Sequence, residues 1–271
     1  SGDWSSDVCS SDLDFATPDN IVEAAVKALR DGHHGYTPAT GILPLREAVS
    51  ADLVRRFGAA VDPGQVLIVP GGKVTMFAAI LMFGEPETEI LYPDPGFPIY
   101  RSMIEYTGAT PVPIPIREAN GFAFSAAETL SLITDKTRLV IINSPANPCG
   151  GVTPKAEVDA LVAGLAAYPD VAIMSDEIYD QMLYDGETHV SLLTYPEIRE
   201  RLILLNGWSK TYAMTGWRLK SRAIERRLCR SCFIFREIRG RADQRIRSQC
   251  FFVHPRTDLS DVRWSQDPVL P

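Results

Sequence analysis

The chain has 271 residues, of which 45% are hydrophobic, enough to bury one or two cores. It has no apolar run near the roughly 18 residues that cross a bilayer, and no basic segment leading into an apolar stretch at its start. A soluble, cytoplasmic protein with reduced cysteines and no membrane partner is therefore expected. The net charge of −7 is uneven: residues 219–271 hold twelve Lys and Arg against six Asp and Glu, a balance of +6 that leaves −13 on the rest.

Residues 1–13 read SGDWSSDVCSSDL, polar and without periodicity. Residues 3–13 match the translation of a sequencing-adaptor oligonucleotide, so the segment is set aside as non-native or disordered. From 14 to 218 helical and strand-like segments alternate. Residues 20–30 place Ile21, Ala24, Ala25, Ala28 and Leu29 at helical spacing. Residues 41–57 repeat the pattern, with Pro44 tolerated in the first turn. Strands are predicted at 66–69, 90–92, 139–142, 171–174 and 202–205, and further helices at 73–82, 98–106 and 157–167. Short apolar strands between helices imply an α/β fold, with a mostly parallel sheet covered on both faces. Ligands of such sheets sit beyond the carboxyl ends of the strands. The polar motifs below all follow a strand.

Three motifs carry the chemistry. They are Asn143-Ser144-Pro145-Ala146-Asn147-Pro148, Ser175-Asp176-Glu177-Ile178-Tyr179, and the run from Ser209-Lys210-Thr211-Tyr212 to Gly216-Trp217-Arg218. Asp176 lies 29 residues after Asn147, and Lys210 lies 34 after Asp176. In this order and spacing the chain resembles the fold-type I pyridoxal-phosphate-dependent aminotransferases of class I/II, over residues 14–218. The resemblance implies a PLP-transferase-like large domain. It also implies transamination between an amino acid and a 2-oxo acid, with pyridoxal 5'-phosphate as cofactor. Lys210 would form the Schiff base with the cofactor aldehyde and then move the substrate α-proton.

Asp176, under the pyridine nitrogen, would keep it protonated so that the ring withdraws electrons. Tyr179 and Asn147 would donate to the phenolic oxygen, and Phe97, in Asp94-Pro95-Gly96-Phe97-Pro98, would stack on the ring. Gly72, Lys73 and Val74 open a helix after a strand, so their backbone N–H groups suit the phosphate, and the Lys73 side chain is expected to face solvent. Ser209 and Arg218 would add a hydroxyl and a guanidinium fork. A Walker A loop is rejected, because Val74 stands where Ser or Thr is required. Tyr36, in Gly35-Tyr36-Thr37-Pro38, resembles the tyrosine that reaches the neighbouring subunit's phosphate, implying a homodimer in the intact parent. His33 and His34 are assigned no role. A lyase or decarboxylase on the same fold, or an inactive cofactor-binding fragment, are the alternative readings.

After Leu219 the resemblance stops. Lys220 stands where the family has Gly, and the following basic sequence does not resemble the family's small C-terminal domain, which carries the arginine for the substrate carboxylate. Residues 219–271 are read as an atypical, out-of-frame tail, leaving a large-domain fragment. Cys229, Cys232, Cys250 and His254 have spacing that zinc could use. The tail has only Gly240 for a turn, so neither metal nor nucleic acid is assigned. Cys149 is read as a small buried residue.

Overall fold

The computed structural model describes residues 15–217 and the backbone of 220–224. Helix α1 (Asp19–Arg30) opens this part, and α2 (Leu43–Phe57) follows. Next come β1 (Val66–Val69), α3 (Gly72–Phe83), β2 (Glu89–Asp94), α4 (Ile99–Thr107) and β3 (Thr110–Pro115). The remaining elements are α5 (Ala126–Ser131), β4 (Thr137–Asn143), α6 (Lys155–Leu165), β5 (Ala172–Asp176), β6 (Leu202–Asn206), α7 (Trp208–Thr211) and β7 (Lys220–Ile224).

The strands form one sheet in the order β1-β7-β6-β5-β4-β2-β3. Parallel ladders join β3, β2, β4, β5 and β6, whereas β7 is antiparallel to both β6 and β1. All described strands except β7 therefore run one way and end at the same edge. β7 belongs to the stretch set apart by composition, yet its backbone lies within the sheet between β1 and β6.

Period-two alternation builds two cores. Val140, Ile142, Ile173, Leu202 and Leu204 face one side, where Val49 and Leu53 of α2 and Val158, Leu161 and Leu165 of α6 cover them. Leu139, Ile141, Ala172, Met174, Ile203 and Leu205 face the other, beneath Met76, Ala79 and Ile80 of α3 and Tyr100 and Ile104 of α4. Each fully buried aliphatic side chain contributes about 1.5–3 kcal/mol of transfer free energy. This two-sided burial makes the strands continuous apolar runs and aligns their carboxyl ends.

The boundaries of the sequence-derived strands and helices shift by at most two residues, and 66–69 does not shift. Asp176 is the last residue of β5, at the strand's end as expected although the strand runs two residues further, and Pro98 caps α4 rather than belonging to it. Four elements go beyond the sequence expectation: β3, the short α5, the single turn α7 and β7. Cys149 is half-buried against the α6-side core rather than fully enclosed.

Candidate active site

The carboxyl edge of the sheet gathers the polar motifs. β4 ends at Asn143 and β5 at Asp176, paired in register across the ladder. The Asn143 side-chain amide donates to the Asp176 carbonyl at 2.9 Å, and its oxygen accepts from the Asn147 backbone N–H at 2.8 Å. One asparagine thus sets the turn carrying Asn147 against the strand end carrying Asp176.

Asp176 is 2% exposed. Its Oδ2 accepts from the Tyr100 phenol at 2.7 Å and its Oδ1 from the Ile178 backbone N–H at 3.3 Å. Burial, and then the Asp176 charge, raise the Tyr179 phenol above its ordinary value, so Tyr179 is a donor at neutral pH. The Lys210 ammonium lies 5.9 Å from the Tyr179 ring centroid. Lys210, Asp176 and Tyr179 are therefore neighbours, brought from two adjacent strand ends.

The lysine sits on α7, a single turn that Gly207 leads into from β6. Its exit is held by the Met214 N–H, which donates to the Ser209 carbonyl at 3.0 Å. Ala213 adopts φ 50°, a left-handed conformation that costs about 1–2 kcal/mol for a residue with a Cβ. Thr17 Oγ1 donates to the Ala213 carbonyl at 2.7 Å, so the segment before α1 braces this turn. The sequence offered no signal for that brace.

Phe97 follows β2 after Gly96, where an added Cβ would lie 2.1 Å from the Pro93 carbonyl oxygen, so only glycine fits. The Phe97 and Tyr100 rings meet edge to face at 6.1 Å and 76°. The Lys73 ammonium is 5.8 Å from the Phe97 centroid. Lys73 is exposed as expected, but its head lies over an aromatic of the site rather than in open solvent.

Gly71 caps α3 at φ 83° and ψ 154°, a conformation that favours glycine. The N–H groups of Gly72, Lys73 and Val74 in the first turn have no intrahelical acceptor, and the helix dipole puts positive potential there. Ser209 is 5% exposed, and its hydroxyl has no partner among the described residues. A buried hydroxyl without a partner costs about 1–3 kcal/mol, which an anionic acceptor would offset. Tyr36 is fully exposed. Arg218 lies outside the described residues, as do Cys229, Cys232, Cys250 and His254.

Glu177 and Asp180 alternate with Asp176 and Tyr179 and make a separate set of bonds. Glu177 accepts from Ser175 Oγ at 2.8 Å and Leu192 N–H at 3.0 Å, and pairs with His189 at 2.9 Å. Burial opposes the His189 imidazolium, but the Glu177 charge and hydrogen bond, with the Asp180 charge, outweigh it and hold the pKa above the ordinary value. Asp180 pairs with Arg56 of α2 and accepts from the Asn206 amide at 2.6 Å. Burial raises the Asp180 carboxyl, and Arg56 and Asn206 pull it back. This network fastens the Asp176–Tyr179 segment to α2 and to the end of β6.

Two cavities flank the site. One of about 220 Å³ borders Trp208, Thr211 and Tyr212, and another of about 720 Å³ borders Asn147, Tyr179 and Tyr184. Among the described residues no cluster of three or more His, Cys, Asp or Glu is arranged for a metal, and no helix is long and apolar enough to cross a membrane.

Comparison with known proteins decides the family. The profile for "Aminotransferase class I and II" matches residues 6–235. The chain belongs to this family. It is 38% identical over 206 residues to a bifunctional aspartate aminotransferase and glutamate/aspartate-prephenate aminotransferase of Petunia hybrida, covering 76% of this chain and 43% of that protein. It is 39% identical over 208 residues to an arginine–pyruvate transaminase of Pseudomonas aeruginosa, covering 77% and 52%. The aromatic aminotransferase of Pyrococcus horikoshii superposes with a TM-score of 0.75 at 36% identity, over 79% of this chain and 57% of that one. The aspartate aminotransferase of Rhizobium meliloti superposes with a TM-score of 0.78 at 30% identity, over 82% and 56%. This aminotransferase chain thus spans about half the length of the relatives it matches.

Sequence reasoning missed Tyr100 and the part played by Asn143. The sequence places Tyr100 only within a helix, and its contact with Phe97 comes from the turn that leads into α4. Asn143 belongs to the first motif, but its task follows only from the register of β4 and β5.

Proposed function

We propose that residues 14–218 form the cofactor-binding large domain of a pyridoxal-phosphate-dependent aminotransferase that moves an amino group between an amino acid and a 2-oxo acid. The observation that carries this reading is the meeting of Lys210, Asp176 and Tyr179 at the carboxyl edge of a parallel sheet in a chain of this family. The donor set fits the cofactor, because the Ser209 hydroxyl, unpartnered among the described residues, and the α3 amino end suit a phosphate. When bound, pyridoxal phosphate supplies an aldehyde for a lysine and a protonatable ring that withdraws electrons.

The remaining roles fall to side chains of this protein. The Lys210 amine would hold the aldehyde carbon and, once the substrate's amino group displaces it there, would be free to take the proton from the substrate α-carbon and deliver it to the former aldehyde carbon. The Asp176 carboxylate holds the proton on the ring nitrogen. Tyr179 and Asn147 donate to the phenolic oxygen, and Phe97 covers one ring face. Gly72, Lys73 and Val74 bind the phosphate through backbone N–H groups, joined by Ser209 and Arg218. Tyr36, wholly exposed on its loop, reaches the neighbouring subunit of a homodimer. Residues 219–271 stay apart as an atypical tail in this reading, with the exception of β7, which the sheet includes.

The test is a visible absorbance spectrum of the purified chain after incubation with pyridoxal phosphate and gel filtration. A retained band in the wild type that Lys210→Ala lacks supports the reading. A band of equal strength in both, or in neither, contradicts it.

A further inference from the structure

We infer that Tyr100 is a positioning residue for the Asp176 carboxylate, holding it where the ring nitrogen of the cofactor would meet it. This rests on the functional reading above and goes beyond it, because Tyr100 touches neither cofactor nor substrate in that scheme.

Tyr100 is fully buried, projecting from α4 into the apolar core of Met76, Ile80, Ile104 and Met174. A phenylalanine would fill that space, so the hydroxyl is the feature to explain. A buried hydroxyl left without a partner costs about 1–3 kcal/mol, and this one finds its partner in Asp176, at 2.7 Å from Oδ2. Burial, then the Asp176 charge and hydrogen bond, raise the phenol well above its ordinary value, so it stays protonated and donates. The bond to a carboxylate is charge-assisted and directional.

Two consequences follow. The phenol stabilises the carboxylate anion and lowers its basicity, so a proton shared with a ring nitrogen stays on the nitrogen. The phenol also links the carboxylate to the stacking aromatic, since Tyr100 meets Phe97 edge to face and its N–H donates to the Phe97 carbonyl at 3.1 Å. One turn of chain thus carries both the aromatic that would cover the ring and the phenol that holds the carboxylate meant for its nitrogen.

The test compares pyridoxal phosphate with its 1-deaza analogue, in which CH replaces the ring nitrogen. Both are titrated by fluorescence into the purified 271-residue chain, as wild type and as Tyr100→Phe. Tyr100→Phe should weaken pyridoxal phosphate roughly tenfold, as expected for loss of a hydrogen bond to a charged group. The deaza analogue should change by less than about twofold, because it offers Asp176 nothing to hold. Equal weakening of both compounds assigns the hydroxyl to the core alone and overturns the inference, as does no change in either. Should Tyr100→Phe not fold, 3-fluorotyrosine at position 100 keeps size and hydroxyl while making the phenol a stronger donor. The ratio of the two dissociation constants should then shift, and an unchanged ratio overturns the inference. A wild-type chain that binds neither compound overturns the functional reading and this inference with it. A wild type that binds pyridoxal phosphate through Lys210 with a Tyr100-independent ratio overturns the inference alone.

Discussion

Asn143 and Asp176 end neighbouring strands in register, and the Asn143 amide donates to the Asp176 carbonyl at 2.9 Å. The same side chain accepts from the Asn147 N–H. Asn143→Ala removes both bonds at a buried position and leaves the Asn147 N–H without this acceptor. We predict a loss of about 1–3 kcal/mol in urea unfolding, together with weaker retention of pyridoxal phosphate. Unchanged stability and retention would show that the two strand ends hold their places without Asn143.

His189 gives a pH signature. Its folded pKa is raised, because the charges of Glu177 and Asp180 outweigh the burial that opposes it. The folded state thus binds the proton more tightly than the unfolded one, whose histidine titrates near about 6.5. The resulting stabilisation is complete below that value and is lost as pH rises through the raised folded value. His189→Gln keeps a donor near Glu177 but does not titrate. The wild type should exceed this variant in thermal midpoint by more at pH 5.5 than at pH 8.5, and an equal difference at both would refute the assignment.

Ala213 occupies left-handed backbone at φ 50° in the turn that follows the lysine. Ala213→Gly relieves a cost of about 1–2 kcal/mol and gives back part of it through the greater freedom of the unfolded chain. A net gain of about 0.5–1 kcal/mol is expected in denaturant unfolding. A loss of stability would mean that the turn is not strained.

Much of this arrangement could be read from the sequence, for reasons that differ by element. The strands of the sheet centre are buried on both faces, so residues 139–142 and 202–205 are uninterrupted apolar runs. β3 escaped notice because Thr110–Pro115 carries proline at alternate positions, which argues against a strand. Its place at the sheet edge resolves the conflict. The N–H groups of Thr110 and Ile116 donate toward the β2 side, to Thr88 and Asp94, and the prolines fall at the intervening positions, where the open edge needs no donor. The Lys210, Asp176 and Tyr179 motifs were legible because each is a contiguous run. Tyr100 lies 76 residues from Asp176, Thr17 lies 196 from Ala213, and Arg56 lies 124 from Asp180. Such pairings arise only when the sheet aligns its strand ends, and no local pattern encodes them.

Of the six lysines in the chain, Lys210 is the one proposed to hold the cofactor aldehyde. Borohydride reduction of the chain loaded with pyridoxal phosphate would make the lysine linkage permanent, and peptide mass mapping would then locate it. The added mass is expected on the peptide containing Lys210, at close to one per chain, with Lys73 and the other lysines unmodified. Label spread over surface lysines, or concentrated on any lysine other than Lys210, would contradict that assignment.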